Sequence, residues 1–270
     1  MRHDNTLMNT GTAARLYRIG KNNKYVIVPI DHGLTQGAVD GLRDVESTVD
    51  AVTRGGVDAI LSQKGIAQRV HQNKNDAGYI MHLSGSTDIG PDPADKRLTG
   101  TVEEAIKVGA DAVSYHINVL SAHEGNQIEA LAKVTKDANE FGMPVLVMCY
   151  VRGHEEDMKD PRKISHAVRL GEELGGDIIK TVYTGDSKSF ESVVTATSKP
   201  VVIAGGKKGT DKETIEMVKG AMDAGAAGVS MGRCIFQHKN PESISRAVVE
   251  IVHNGASVEK AMEKSGLLEK

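Results

Sequence analysis

LGGDIIK, residues 174–180, decides the fold, because the same phrase recurs as GGVDAIL (55–61), VGADAVS (108–114) and AGAAGVS (224–230). Each copy joins the glycine end of an amphipathic stretch to a short run of small and branched apolar residues. A glycine there suits the left-handed residue that ends a helix before a tight turn into a strand. The runs show little polar alternation, as parallel strands covered by helices do. Working outward, apolar runs lie at 25–30, 59–61, 79–83, 112–116, 145–149, 177–180, 201–204 and 228–231. Stretches with a period near 3.6 lie at 45–54, 101–108, 127–141, 162–174, 188–197, 212–224 and 241–253. Thr101 is placed to cap one of them, with Glu104 closing a capping box, and Thr210 or Asp211 to cap another. Strand starts recur every 20–35 residues or so, roughly one βα unit. About eight such units fill the chain.

The reading is therefore α/β, a single (β/α)8 TIM barrel over residues 1–270, with a short segment 1–24 before the first strand. A doubly wound sheet more often carries GxGxxG after its first strand, where this chain has DHGLTQG (31–37). Composition agrees. The chain has 270 residues and a formal charge of −3, and its 3% aromatic content leaves little to stack on bases, so no nucleic-acid partner is expected. No apolar run approaches the ~18–20 residues of a membrane span, so no membrane partner is expected either. The opening MRHDNTLMNT is polar and predicts no secretory signal. Cys149 and Cys234 form no disulfide framework and no CxxC, which fits a reducing cytoplasm.

In such a barrel the active site lies at the C-terminal strand ends. Those ends read Asp31-His32-Gly33, Ser62-Gln63-Lys64-Gly65, His82-Leu83-Ser84-Gly85, His116-Ile117-Asn118, Tyr150-Val151-Arg152-Gly153, Lys180, Gly205-Gly206-Lys207 and Gly232-Arg233. Polar and ionisable groups gather there far more than at the strand starts. Lys180 follows a short apolar run. A lysine at the mouth of an apolar barrel loses hydration, which disfavours the charged ammonium. A neutral amine attacks carbonyls to form a Schiff base, whose iminium is an electron sink for breaking or making an adjacent C–C bond. The alternative is a lysine that snorkels to solvent.

Tyr150, one strand away, suits proton transfer to a substrate hydroxyl, or is a half-buried phenol in solvent. Asp31 suits proton transfer too, or pairs with the lysine. Gly205-Gly206 and Gly232-Arg233 suggest a phosphate cradle after strands seven and eight, or simple turns. His32, His82 and His116 are weighed as zinc ligands and set aside, because no carboxylate–histidine spacing completes a set. No metal and no cofactor are expected.

Taken together, VPIDHG (28–33), HLSGST (82–87), TVEEAIKVGADAVS (101–114), Tyr150–Gly153 as YxRG, KTVYTGD (180–186), AGG (204–206), DAGAAGVSMGR (223–233) and IFQHKNP (235–241) resemble the archaeal-type class I aldolase family over nearly the whole chain. The resemblance implies Lys180 as Schiff-base lysine, Tyr150 as proton donor and Asp31 as proton acceptor. It implies substrate and phosphate contacts from His32, Gly33, Arg152, Gly205, Gly206, Gly232 and Arg233. It also implies a phosphorylated ketose and an aldehyde acceptor as small-molecule partners, and a homo-oligomer. VPIDHG and HLSGST look more like the heptulosonate-synthase branch, which uses aspartate semialdehyde, than the fructose-bisphosphate aldolase branch. A thiolase-type barrel, or one that binds a phosphometabolite without a Schiff base, is the more distant alternative. The chain departs from the family at Val151, where proline is usual, at Lys207 of GGKK, where GGPK is usual, and in the loop 119–127.

Overall fold

A computed structural model describes residues 9–206 and 209–268. Its centre is a closed barrel of eight parallel strands. They are β1 (Tyr25–Pro29), β2 (Ala59–Ser62), β3 (Gly78–His82), β4 (Ala112–Val119), β5 (Val145–Val151), β6 (Ile178–Thr181), β7 (Val201–Ala204) and β8 (Gly228–Ser230). Each strand pairs with its sequence neighbours. β8 closes on β1 in the register Tyr25↔Gly228, Val26↔Val229, Ile27↔Ser230.

The repeated phrase works as the sequence implies. Gly56, Gly109, Gly175 and Gly225 all have positive φ (90°, 73°, 88° and 94°), the left-handed region that glycine enters without a Cβ clash. The aspartate that follows in three of the copies has a second task. Asp58 Oδ2 accepts from Val26 N at 2.7 Å, Asp111 Oδ2 from Tyr79 N at 2.9 Å, and Asp177 Oδ2 from Val145 N at 2.9 Å. Each carboxylate thus satisfies a backbone donor at the start of a nearby strand.

Two apolar clusters result. One lies between strands and helices and includes Val28, Ile60, Val113, Val147 and Ile203. The other fills the barrel interior with Tyr25, Ile27, Leu61, Ile80, Leu146, Met148, Ile178 and Val202. Side chains alternate between the two, as the period of two requires. The helix Thr10–Ile19 lies within the segment read as preceding the first strand, and it closes the N-terminal end by placing Ile19 in the interior cluster. Residues 1–8 and the Lys207-Lys208 pair lie outside the described residues.

Most helix expectations hold to within three residues. The capping box of Thr101 and Glu104 is present on the helix Val102–Lys107, and Thr210 caps Asp211–Asp223. The helices Ala67–Asn73 and Val258–Ser265 were not expected; they are only seven and eight residues long. β4 and β5 run two or three residues beyond their apolar runs, carrying Asn118 and Tyr150 within the sheet. No helix among the described residues is long and apolar enough to cross a membrane.

Candidate active site

The register fixes which side chains share the barrel mouth. Lys180 pairs with Met148 on one side and Val202 on the other. Both of those belong to the interior cluster, so Lys180 faces inward. It is buried, with 6% of its surface exposed. No carboxylate of the described residues lies within 4.0 Å of its ammonium. Tyr150 lies two residues beyond Met148 on β5, one inward-facing layer nearer the mouth, and packs against the interior cluster.

Asp31 lies just past β1, where the chain turns into the short helix His32–Gln36. On a continuing strand the neighbours Asp31 and His32 would point to opposite faces. The strand instead ends at Pro29, and Asp31 Oδ1 stands 3.5 Å from His32 Nδ1. Asp31 Oδ2 stands 3.7 Å from His82 Nε2. Burial works to lift the Asp31 pKa, but His82, His32 and Lys180 hold the carboxyl below its usual range. It is therefore an anion at neutral pH, facing the lysine.

The three histidines are engaged with different partners. His82 Nδ1 bonds Ser114 Oγ at 2.7 Å and its Nε2 bonds Ser84 Oγ at 3.3 Å. Burial pushes its pKa down to about 4, so the ring is neutral at pH 7. His116 Nε2 bonds Asn118 Oδ1 at 2.8 Å, and its ring meets Tyr150 edge-on at 4.8 Å. Burial, then Lys96 and Arg152, hold His116 well below the ordinary histidine value. His32 packs edge-on against Phe236 at 5.0 Å. Among the described residues no group of three or more His, Cys, Asp or Glu is placed to hold a metal ion.

On one side of the mouth the glycines are shaped by close approach. A Cβ on Gly232 would stand 2.5 Å from His32 Cε1 and 2.9 Å from Pro29 O, and one on Gly205 would stand 2.5 Å from Cys234 Sγ. Gly206 has φ +63° and open space around it. Arg233, half-buried, opens the helix Arg233–Phe236 beside them. Gly33 is exposed on the first turn of the helix after Asp31, with nothing within 4 Å of where a Cβ would stand.

Arg152 stands on the other side. Its guanidinium lies 5.2 Å from the Tyr150 ring centroid, and its Nε donates to Asn118 Oδ1 at 2.8 Å. Asn118 Nδ2 in turn donates to Ala94 O at 2.9 Å. That bond draws the segment 83–100 across the mouth, where Ser84–Gly85 pairs with Arg97–Leu98. Val151, the position of the usual proline, is buried and pairs with Val119 in the sheet.

The structure places Lys180, Tyr150, Asp31, His32, Arg152 and the glycine pairs at the C-terminal end of the barrel, where the sequence reading expects them. It assigns no role to Asn118 and Ser84, though both lie at strand ends, or to Ser114 within its strand, and it misses Lys96 altogether. It also misses Ser230, whose buried hydroxyl has no hydrogen-bond partner among the described residues. Ser230 pairs with the inward-facing Ile27, so its side chain faces the interior. A period-two count along AGAAGVS would have found it.

Known proteins match this architecture along its length. The chain is 53% identical over 262 residues to the 2-amino-3,7-dideoxy-D-threo-hept-6-ulosonate synthase of Halobacterium salinarum, covering 97% of this chain and 99% of that one. A crystal structure of an archaeal fructose 1,6-bisphosphate aldolase superposes with a TM-score of 0.83 at 32% identity, covering 90% of this chain and all of that one. A second archaeal fructose-1,6-bisphosphate aldolase, solved with its catalytic Lys covalently bound to the carbinolamine intermediate of its substrate, gives 0.82 at 30% identity, covering 89% and 99%. Residues 25–238 match the profile of the DeoC/LacD family aldolases, from the first barrel strand to just past the last. The chain belongs to the DeoC/LacD family of aldolases.

Proposed function

We propose that this enzyme moves a three-carbon unit from a phosphorylated ketose to aspartate semialdehyde, giving 2-amino-3,7-dideoxy-D-threo-hept-6-ulosonate for aromatic amino-acid synthesis. One observation carries the reading: a buried, inward-facing Lys180 shares the barrel mouth with the Asp31 carboxylate and the Tyr150 phenol. The similarity to the Halobacterium synthase, well above that to either solved aldolase, favours this acceptor.

In the scheme, Gly205, Gly206, Gly232 and Arg233 receive the phosphate, and His32 and Gly33 line its approach. The Lys180 amine adds to the ketose carbonyl, and loss of water leaves an iminium. Asp31 takes the proton of the hydroxyl next to the scissile bond. The C–C bond breaks, its electron pair moves into the iminium to give an enamine, and the aldehyde that carries the phosphate departs, leaving a three-carbon unit whose end carbon is a methyl. The enamine carbon then attacks the acceptor aldehyde, Tyr150 protonates the new alkoxide, and water releases the product from Lys180. The imine is itself the electron sink, so the scheme uses no metal or cofactor.

We further read the chain as one barrel domain over 1–270, as a cytoplasmic enzyme and as a homo-oligomer. Two buried free thiols, Cys149 and Cys234, support a reducing compartment. Exposed Tyr17 and Phe141, on and beside the N-terminal helix, offer apolar surface for assembly. The test is product analysis: the enzyme is given a phosphoketose and either aspartate semialdehyde or glyceraldehyde 3-phosphate. Consumption of aspartate semialdehyde is expected. Consumption of glyceraldehyde 3-phosphate alone, with a hexose bisphosphate formed, would replace this reading with a sugar-bisphosphate aldolase.

A further inference from the structure

Lys96 belongs to the segment 83–100 that crosses the mouth, and no sequence motif points to it. Its ammonium donates to a neutral group, Ser86 Oγ, at 2.6 Å. The segment is pinned beside Arg152, because Asn118 and Gln127 both donate to Ala94 O, at 2.9 and 2.7 Å, and Asn118 also accepts from Arg152. His123 adds contacts to Asp92 at 3.1 Å and Asp95 at 3.6 Å. Neither Lys96 nor Arg152 has a carboxylate of the described residues within 4.0 Å. Both are partly withdrawn from water, and burial lowers the pKa of each; Arg152 lowers that of Lys96 further, and Asp88, Asp31 and Asp92, each beyond 4.0 Å, offset this only in part.

Two cations held near one another with no carboxylate in contact cost stability, by repulsion and by lost hydration. Such an arrangement persists where a bound anion completes it. The glycine cradle lies on β7 and β8, whereas this pair lies on the side of β3 to β5, so it serves a different group. We infer that Lys96, together with Arg152, forms an anion subsite for the charged end of the aldehyde partner, and that Lys96 is a specificity-determining residue.

This rests on the proposed transfer reaction. In that reaction the partner is an amino-acid aldehyde, and the group held is its carboxylate. A phosphate shares the chemistry, so a phosphorylated aldehyde is included among the acceptors tested. A guanidinium–ammonium pair grips either anion by charge-assisted hydrogen bonds.

The experiment measures kcat/KM for aspartate semialdehyde, glyceraldehyde 3-phosphate and propanal, in the wild-type enzyme and in Lys96→Met and Lys96→Arg. The wild-type preference for aspartate semialdehyde over propanal is expected to fall by ~10- to 100-fold in Lys96→Met and to be largely kept in Lys96→Arg. A preference that is unchanged in Lys96→Met overturns the inference. So does an equal loss for charged and uncharged aldehydes, which marks a merely structural lysine. A preference of the wild type for glyceraldehyde 3-phosphate, lost in Lys96→Met, keeps the subsite but assigns it to phosphate. Borohydride trapping with hydroxyacetone, the three-carbon unit of the product, runs alongside: absence of any wild-type adduct overturns the transfer reading itself, and the inference with it.

Discussion

The two ends of the barrel treat charge in opposite ways. At the N-terminal end each of three carboxylates holds a backbone donor, and of their buried oxygens only Asp58 Oδ1 lacks a hydrogen-bond partner among the described residues. Asp58 accepts from Val26 N and from His253 Nε2, both at 2.7 Å, with Lys21 at 3.8 Å. Asp111 holds Tyr79 N and Arg18, and Asp177 holds Val145 N. At the C-terminal end Lys180, Lys96, Arg152 and Arg233 have no carboxylate of the described residues within 4.0 Å. Paired charge at one end builds the barrel. Unpaired charge at the other is a cost to the fold, retained for ligands. Substitutions at the two ends should therefore fail in different assays.

The largest difference is expected from Tyr150→Phe. Loss of the phenol should lower kcat by ~10²–10⁴-fold, the usual contribution of a positioned acid or base. The urea midpoint should stay near that of the wild type, because the phenyl ring still packs against His116. A lowered midpoint with normal kcat would place Tyr150 with the structural groups. Asp58→Ala should show the reverse. It leaves a buried backbone N–H and a histidine without their acceptor, at a cost of about 2–4 kcal/mol in urea unfolding, with kcat of the folded enzyme unchanged. A changed kcat would mean the two ends are not separable.

Gly232→Ala tests the glycine side of the mouth. The new Cβ meets Pro29 O and the His32 ring, so the backbone must shift. We expect the KM for the phosphoketose to rise on the order of 10- to 100-fold. A KM within twofold of the wild type would remove this glycine from the phosphate grip.

The smallest effect is graded with pH. His82 has a folded pKa of about 4, below the ordinary 6.5. The unfolded chain therefore binds a proton more readily, and stability present above pH 6.5 is lost progressively as pH falls toward 4. At pH 5.5 the loss from this one group is about 1 kcal/mol relative to pH 7.5. Asp31, whose pKa is lowered below the ordinary 3.8, adds its own loss only at more acid pH. Denaturation of the wild type and of His82→Gln at both pH values checks this: the pH difference should shrink by about that amount in the variant, and an identical difference would refute it.

The same contrast explains what the sequence discloses. The barrel was legible because GGVDAIL, VGADAVS, LGGDIIK and AGAAGVS repeat one backbone problem, a left-handed turn before a buried strand. Lys180, Tyr150, Asp31 and the glycine pairs were legible because strand ends are counted along the chain. Lys96 was not. It reaches the mouth through the fold of a long segment fixed by Asn118 and Gln127, contacts that no local period encodes. The helix Thr10–Ile19 was missed for a related reason: what recruits it is the open end of the barrel, which exists only once the eight strands have closed.

The central claim is a covalent bond at one nitrogen. Incubation with hydroxyacetone, the three-carbon unit that the product carries, and borohydride, followed by peptide mapping, should place a stable mass adduct on Lys180 and none on Lys180→Met. An adduct of equal yield in Lys180→Met, or one mapped to a different lysine, would contradict it.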